Sequence, residues 1–254
     1  MALRLDLNCD MGESFGAWKM GNDLAILDHV TSANVACGFH AGDPQTMHRT
    51  VAAAFERGVR VGAHPGYPDR VGFGRRRLQL SASECYDDIV YQVGALAGFA
   101  RALGGRLSHV KAHGALYHAA EKEAELADAI ARAVRDIDAG LALFGFPGGL
   151  QVQAAERLGL RAMAEVFADR SYQDDGSLTP RQQAGAMIED PEASVAQVER
   201  MVLEGRVRAL SGRDVEVRAD TLCLHGDQPG ALAFAQRIRG ALTSRGVRIV
   251  APDA

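Results

Sequence analysis

A chain of 254 residues that is 47% hydrophobic and 24% charged has globular composition, and it can bury a core without disulfides or structural metal. A formal net charge of -4 argues against nucleic acid as the main partner, which demands a strongly basic footprint. No apolar run approaches the roughly 18 residues of a membrane span. The opening MALRLDLNCD lacks a signal-peptide core, and the four cysteines are too scattered for a disulfide framework, so a cytoplasmic protein with free thiols is expected.

Short apolar runs at Leu3–Asn8, Val30–Ala36, Val59–Ala63, Leu107–Lys111, Leu141–Phe146, Arg161–Phe167 and Thr221–His225 read as strands. Helix-period stripes lie between them. Met47, Val51 and Ala54 form the first, opened by Asp43-Pro44 and closed by Gly58. Ser81 and Glu84 make a capping box ahead of Cys85, Ile89, Val93, Leu96 and Leu103. Further stripes run through Ala127, Ile130, Val134 and Ile137, then Val195, Val198 and Val202, then Leu232, Ala235, Ile238 and Leu242. Residues 206–218 break the rhythm with two β-like runs around Ser211-Gly212, a hairpin signal.

Strand and helix alternating about seven times predicts parallel βαβ units. Almost every strand candidate ends in its own group of reactive side chains, which favours a barrel, where all strand ends share one mouth, over an open sheet. A single α/β domain over residues 1–254, a (β/α) barrel, is therefore predicted. The clusters are Asp6, Asn8, Asp10 and Glu13; His40 and Asp43; His64, Tyr67 and Asp69; Lys111, His113 and Tyr117; Glu165, Asp169, Arg170 and Tyr172; and His225 with Asp227. Histidines exchange protons near neutral pH, and carboxylates hold a metal or position water. Asp43 also has a simpler role as a helix cap.

"VGFGRRR" offers the amides of Gly72 and Gly74 beside Arg75, Arg76 and Arg77, either a phosphate-binding loop or a solvated basic turn. No Walker motif occurs. Cys9, Cys37 and Cys223 read as buried packing, with a thiol nucleophile at Cys9 or Cys37 as the alternative.

The ordered set "DLNCDMGESFG", "ANVACGFHAGDP", "GAHPGYPD", "GFGRR", "HGALY", "EVFADRSY", "LTPRQQAGAMI" and "CLHGDQPGA", spread over about residues 5 to 235, resembles the LamB/YcsF family. The resemblance implies a seven-stranded barrel of the glycoside hydrolase/deacetylase type. It also implies ATP-dependent cleavage of 5-oxo-L-proline to L-glutamate, carried out with separate 5-oxoprolinase subunits B and C. Asp10, His40, His64, Lys111, His113, Glu165 and His225 are then the expected catalytic set, with Gly72, Gly74, Arg75 and Arg76 facing ATP and a divalent cation such as Mg²⁺ at hand. Two alternatives stay open. One is a stand-alone metal-dependent deacetylase-like hydrolase, with Asp10, His40, His64 and Asp227 as candidate ligands. The other is a non-catalytic small-molecule-binding subunit. Whether the chain forms a homo-oligomer is also left open. The chain departs from the family pattern at Ala112, where Pro is usual, and at His118, where Asn is common. The loss of Pro removes a φ restraint beside His113.

Overall fold

Alternation along the first strand sets the barrel's character. In β1 (Arg4–Met11), Leu5, Leu7, Cys9 and Met11 enter the apolar cluster shared with the helices, while Asp6, Asn8 and Asp10 turn inward. The computed structural model describes residues 3–224 and 231–252. Six more strands, β2 (Ser32–Ala36), β3 (Arg60–His64), β4 (His109–Lys111), β5 (Ala142–Gly145), β6 (Arg161–Phe167) and β9 (Thr221–Leu224), follow in order, and β9 returns to pair with β1. All seven run parallel, which closes the predicted seven-stranded (β/α) barrel. The predicted hairpin is β7 (Arg206–Arg208) and β8 (Asp214–Glu216).

The helices are α1 (Asp23–Ile26), α2 (Pro44–Glu56), α3 (Ala82–Ala102), α4 (Gly114–Ala120), α5 (Ala124–Ile137), α6 (Leu150–Arg157), α7 (Pro191–Glu199) and α8 (Ala231–Ser244). The Asp43 carboxylate accepts the Thr46 amide at 2.8 Å and starts α2, and the Ser81–Glu84 box starts α3, both as predicted. The stripe through Val195, Val198 and Val202 ends in a π-helical turn, Arg200–Glu204, closed by Gly205 at φ 66°. A two-residue strand, β10 (Arg248–Ile249), pairs with the start of β1. Sequence pattern misses α1, α4, α6 and β10. Three are too short to show a period, and α6 follows the "GFPGG" turn, where the Leu150 amide donates to Glu121 at 2.7 Å. Among the described residues no helix is long and apolar enough to cross a membrane.

The barrel interior is polar and internally bonded. Thr31, Ser32 and Thr221 donate their hydroxyls to the buried Asp6 carboxylate at 2.6, 2.7 and 2.6 Å. Asn8 donates to Thr221 at 2.7 Å, and Asn34 donates to Asn8 at 2.7 Å and to Asp10 at 2.8 Å. His109, neutral because burial pushes it down to about 3, completes the layer against Asn34 at 2.7 Å. Gly62 makes room for it, since a Cβ there would lie 2.1 Å from His109 Nε2.

Gly62→Ala therefore should cost about 1–3 kcal/mol in urea denaturation, the usual range for overpacking. Burial raises Asp6 to about 6, above the weaker opposing effect of its three hydroxyl donors. The folded state then holds its proton longer than the unfolded chain does, so this group's contribution to stability falls as pH rises through about 4 to 6. Relative to Asp6→Asn, the native chain should lose up to roughly 3 kcal/mol between pH 4 and pH 7, measured by denaturation at each pH.

Candidate functional site

The strand ends converge on one cavity of about 1200 Å³, whose lining includes Asp10, Glu13, His64, Lys111, His113 and Arg170. β1 runs three residues further than its apolar pattern, so Asp10 stands on the strand and Glu13 just beyond it. β3 ends at His64, β4 ends at Lys111, and His113 is the N-cap of α4.

Lys111 holds the centre. Its ammonium reaches Asp10 at 2.9 Å, Glu165 at 2.8 Å and the Cys223 sulfur at 3.1 Å. Burial works against this charge, but Asp10 and Glu165 outweigh it and keep the group protonated well above its ordinary range. Cys223 therefore faces a polar partner rather than simple packing.

Above Lys111, His64 and His113 are oriented from behind. His64 Nδ1 lies 2.8 Å from the Lys111 carbonyl, and His113 Nε2 lies 2.8 Å from the Phe73 carbonyl. A carbonyl only accepts, so each of these nitrogens carries a proton, and in a neutral ring the opposite nitrogen carries the lone pair. Those two lone-pair nitrogens, His64 Nε2 and His113 Nδ1, face each other at 3.0 Å. Asp10 Oδ2 lies 3.3 Å from the same His64 nitrogen, and Glu13 Oε1 lies 3.8 Å from His113 Nδ1. Acceptors aimed at one point repel unless a proton or a cation sits among them. His40 stacks on His113 at 3.7 Å with both ring nitrogens buried and without a hydrogen bond, its Nε2 3.7 Å from Glu13. Glu13, His40, His64 and His113 each offer one ligand atom, all within 4.8 Å of one another.

This set fits a metal ion. Three imidazoles and a carboxylate suit a borderline transition ion such as Zn²⁺, and backbone carbonyls behind two of the rings are the usual support for ligating histidines. The same set does not suit Mg²⁺, which prefers oxygen ligands. Burial holds His40 and His113 well below the ordinary imidazole range, so both rings are neutral, as ligands must be.

Of the residues expected from sequence, Asp10, His40, His64, Lys111, His113 and Glu165 come together here. His225 and Asp227 lie outside the described residues. Glu13 belongs to the first strand-end cluster but not to the expected ligands, because the apolar pattern ends that strand at Asn8; alternation carried on to Met11 places it at the mouth. The absent Pro before His113 leaves the ring no less fixed, since the His113 amide donates to Pro65 at 2.8 Å and its ring to Phe73.

The loop expected to face phosphate makes hydrogen bonds of its own. The Gly72 amide donates to the Asp69 carboxylate at 2.9 Å and the Gly74 amide to the Asp69 carbonyl at 2.8 Å. Arg76 is paired with the same carboxylate, whose pKa that guanidinium and the Gly72 amide hold down at about 2. Gly72, Gly74 and Arg76 are thus spent on Asp69, and no cradle of their amides faces the cavity; of the expected ATP-facing set, only Arg75 lines it. Asp43 is a cap tied to Gly16 as well. The thiol alternative also falls away: burial pushes Cys37 up to about 12 and Cys9 well above its ordinary value, so both stay protonated.

Removing Lys111 leaves the fully buried Glu165 carboxylate without its cation, beside the partly buried Asp10. Lys111→Met should destabilise the fold by roughly 3–5 kcal/mol in urea denaturation, and adding Glu165→Gln should recover part of that loss. A cost near zero would show that the charge is not held in the interior.

The LamB/YcsF family profile matches residues 5–254. The 5-oxoprolinase A subunit of Bordetella parapertussis is 60% identical over 247 residues, covering 97% of this chain and 98% of that protein. The crystal structure of the lactam utilization protein from Thermus thermophilus superposes with a TM-score of 0.93 at 49% identity, covering 98% of this chain and 100% of the other. A family 4 carbohydrate esterase from Streptomyces lividans shares the fold alone, with a TM-score of 0.50 and 16% identity over 98% of each chain. With its barrel, its motifs and these matches in one register, the chain belongs to the LamB/YcsF family.

Proposed function

We propose that this chain is the A component of a 5-oxoprolinase, opening the lactam of 5-oxo-L-proline to L-glutamate together with B and C subunits at the expense of ATP. The reading draws on the relatives that bear the name of the 5-oxoprolinase A subunit and on one geometric observation: the facing lone pairs of His64 and His113 at 3.0 Å, above a Lys111 charge held by two carboxylates. The stand-alone deacetylase and the passive binding protein are less favoured, because relatives of this identity carry the name of one component of that enzyme.

A lactam is a stable amide, which explains the need for ATP. Transfer of the terminal phosphoryl group to the lactam oxygen makes the ring carbon electrophilic. Water adds there, the C–N bond breaks with the nitrogen taking a proton, and a second water releases phosphate from the acyl phosphate. Within this chain, His64 Nε2 and His113 Nδ1 are placed to take the proton of the attacking water and to return it to the leaving nitrogen. Lys111 fixes Asp10 beside them. Were a transition ion held by Glu13, His40, His64 and His113, it would occupy these two lone pairs and supply Lewis acidity and a more acidic bound water in place of their proton-accepting role, leaving Asp10 as the acceptor. The Mg²⁺ that accompanies ATP belongs with the oxygens of the nucleotide.

Mixed with its partner subunits, the chain should release glutamate from 5-oxo-L-proline only when ATP is present. His64→Ala and His113→Ala should each lower kcat about 10²–10⁴-fold. The purified chain should also bind about one equivalent of Zn²⁺ or Co²⁺, with the visible absorption of bound Co²⁺ lost in both variants. Near-normal turnover by both variants would reject the catalytic assignment.

A further inference from the structure

The cavity has a second wall that the lactam chemistry leaves unused. Past the end of β6 the chain turns inward at Arg170, which is only 2% exposed and still lines the cavity. Its guanidinium is held by main chain: Nη2 donates to the Thr179 carbonyl at 2.6 Å and Nε to the Ala186 carbonyl at 3.3 Å. Both acceptors are neutral. Among the described residues Nη1 makes no hydrogen bond, and the guanidinium forms no ion pair with a carboxylate.

Burial lowers Arg170 to about 10, so it is still charged at neutral pH; Arg181 and Arg75 push in the same direction, while Asp169 and Tyr172 oppose them. His118 beside it is driven to about 4, by burial first and then by Arg170, Arg181 and Lys122, and stays neutral. The acids on this wall are engaged nearby: Glu121 accepts from Leu150 and Gln151, Asp175 from Ser177, and Asp174 from Ser211. Asp169 lies close enough to act on Arg170 through its charge but forms no ion pair with it, so a buried cation whose hydrogen-bond partners are all carbonyls still gains from an anion that joins it.

Between this wall and the histidines lies an aromatic floor. Tyr117 and Phe146 are 4.7 Å apart, Phe146 and Phe167 5.7 Å, and Lys111 Nζ lies 5.6 Å from the Phe167 ring. We infer that Arg170 is the carboxylate-binding residue of the cavity, taking a small cyclic amide that carries an acid group and laying its ring on Phe146 and Phe167 with the amide toward His64, His113 and Lys111. The identity of that ligand as 5-oxo-L-proline rests on the function proposed above; the carboxylate specificity rests on the Arg170 geometry.

The test compares 5-oxo-L-proline with 5-oxo-L-prolinamide, which replaces the carboxylate by a neutral amide, in the ATP-coupled assay with partner subunits. The native enzyme should show a KM roughly 10- to 100-fold lower for the acid, the difference expected of a charge-assisted bidentate contact. Arg170→Lys and Arg170→Gln should raise KM for the acid by a similar factor, leave kcat within a few-fold and treat both ligands alike. A native enzyme that does not discriminate between the two ligands overturns the inference without any variant, so a misfolded variant does not blur the outcome. Should the native mixture release no glutamate at all, the proposed function fails. The anion site is then judged on the chain alone, by the shift in Tm with acetate against acetamide. An acetate shift lost in Arg170→Gln supports the site, and equal responses to acetate and acetamide overturn it.

Discussion

One buried ammonium group, that of Lys111, organises the interior of this barrel. It stands between the partly buried Asp10 and the fully buried Glu165, and without it the Glu165 carboxylate would be a buried charge with no cation. Asp10, once placed, takes a hydrogen bond from Asn34, which is itself shared with Asn8 and His109. Asn8 in turn reaches Thr221, and Thr221 reaches Asp6 near the far end. The chain of contacts makes the polar interior tolerable, because nearly every inward group finds a partner. It also means that the reactive end of the cavity is positioned by the packing of the whole barrel rather than by loops.

The two histidines show the same economy from the outer side. Each ring is pinned by a main-chain carbonyl, one on β4 and one in the loop after β3, so the lone pairs are aimed by backbone that the barrel already fixes. Gly74, at φ 62°, lets that loop pass against His113 and His40, where a Cβ would lie 2.8 Å from either side chain. The glycines of "GFGRR" serve this close approach and the tie to Asp69. Their resemblance to an anion cradle is one of composition.

Much of this is legible in the sequence alone. Alternating strand and helix patterns with reactive residues at the strand ends lead to a barrel, and Asp43-Pro44 and Ser81–Glu84 mark helix starts that the structure keeps. The polar interior is not legible. Asp6, Asn8, Ser32, Asn34 and Thr221 sit in runs that look like ordinary strands, and only the register across the barrel shows that they face one another. The role of Asp69 is hidden for a similar reason, since a carboxylate seven residues ahead of Arg76 gives no sign that it will consume a loop's amides. Glu13 is obscured by ending the first strand at Asn8, three residues short of where the chemistry is.

The anchoring of Arg170 by the carbonyls of Thr179 and Ala186 has an evolutionary consequence. Residue and anchors lie on one excursion between β6 and α7 that adds no strand to the barrel, while the metal-compatible donors and Lys111 belong to strands β3 and β4 and the turns that follow β1, β2 and β4. On the proposed reading, ligand choice and bond-breaking are inherited on separate stretches of chain. Substitutions, insertions or deletions in residues 173–183 can retune which acid is admitted while the seam of the barrel and its proton-handling groups stay as they are, a division that lets one scaffold try new substrates without first giving up its reaction.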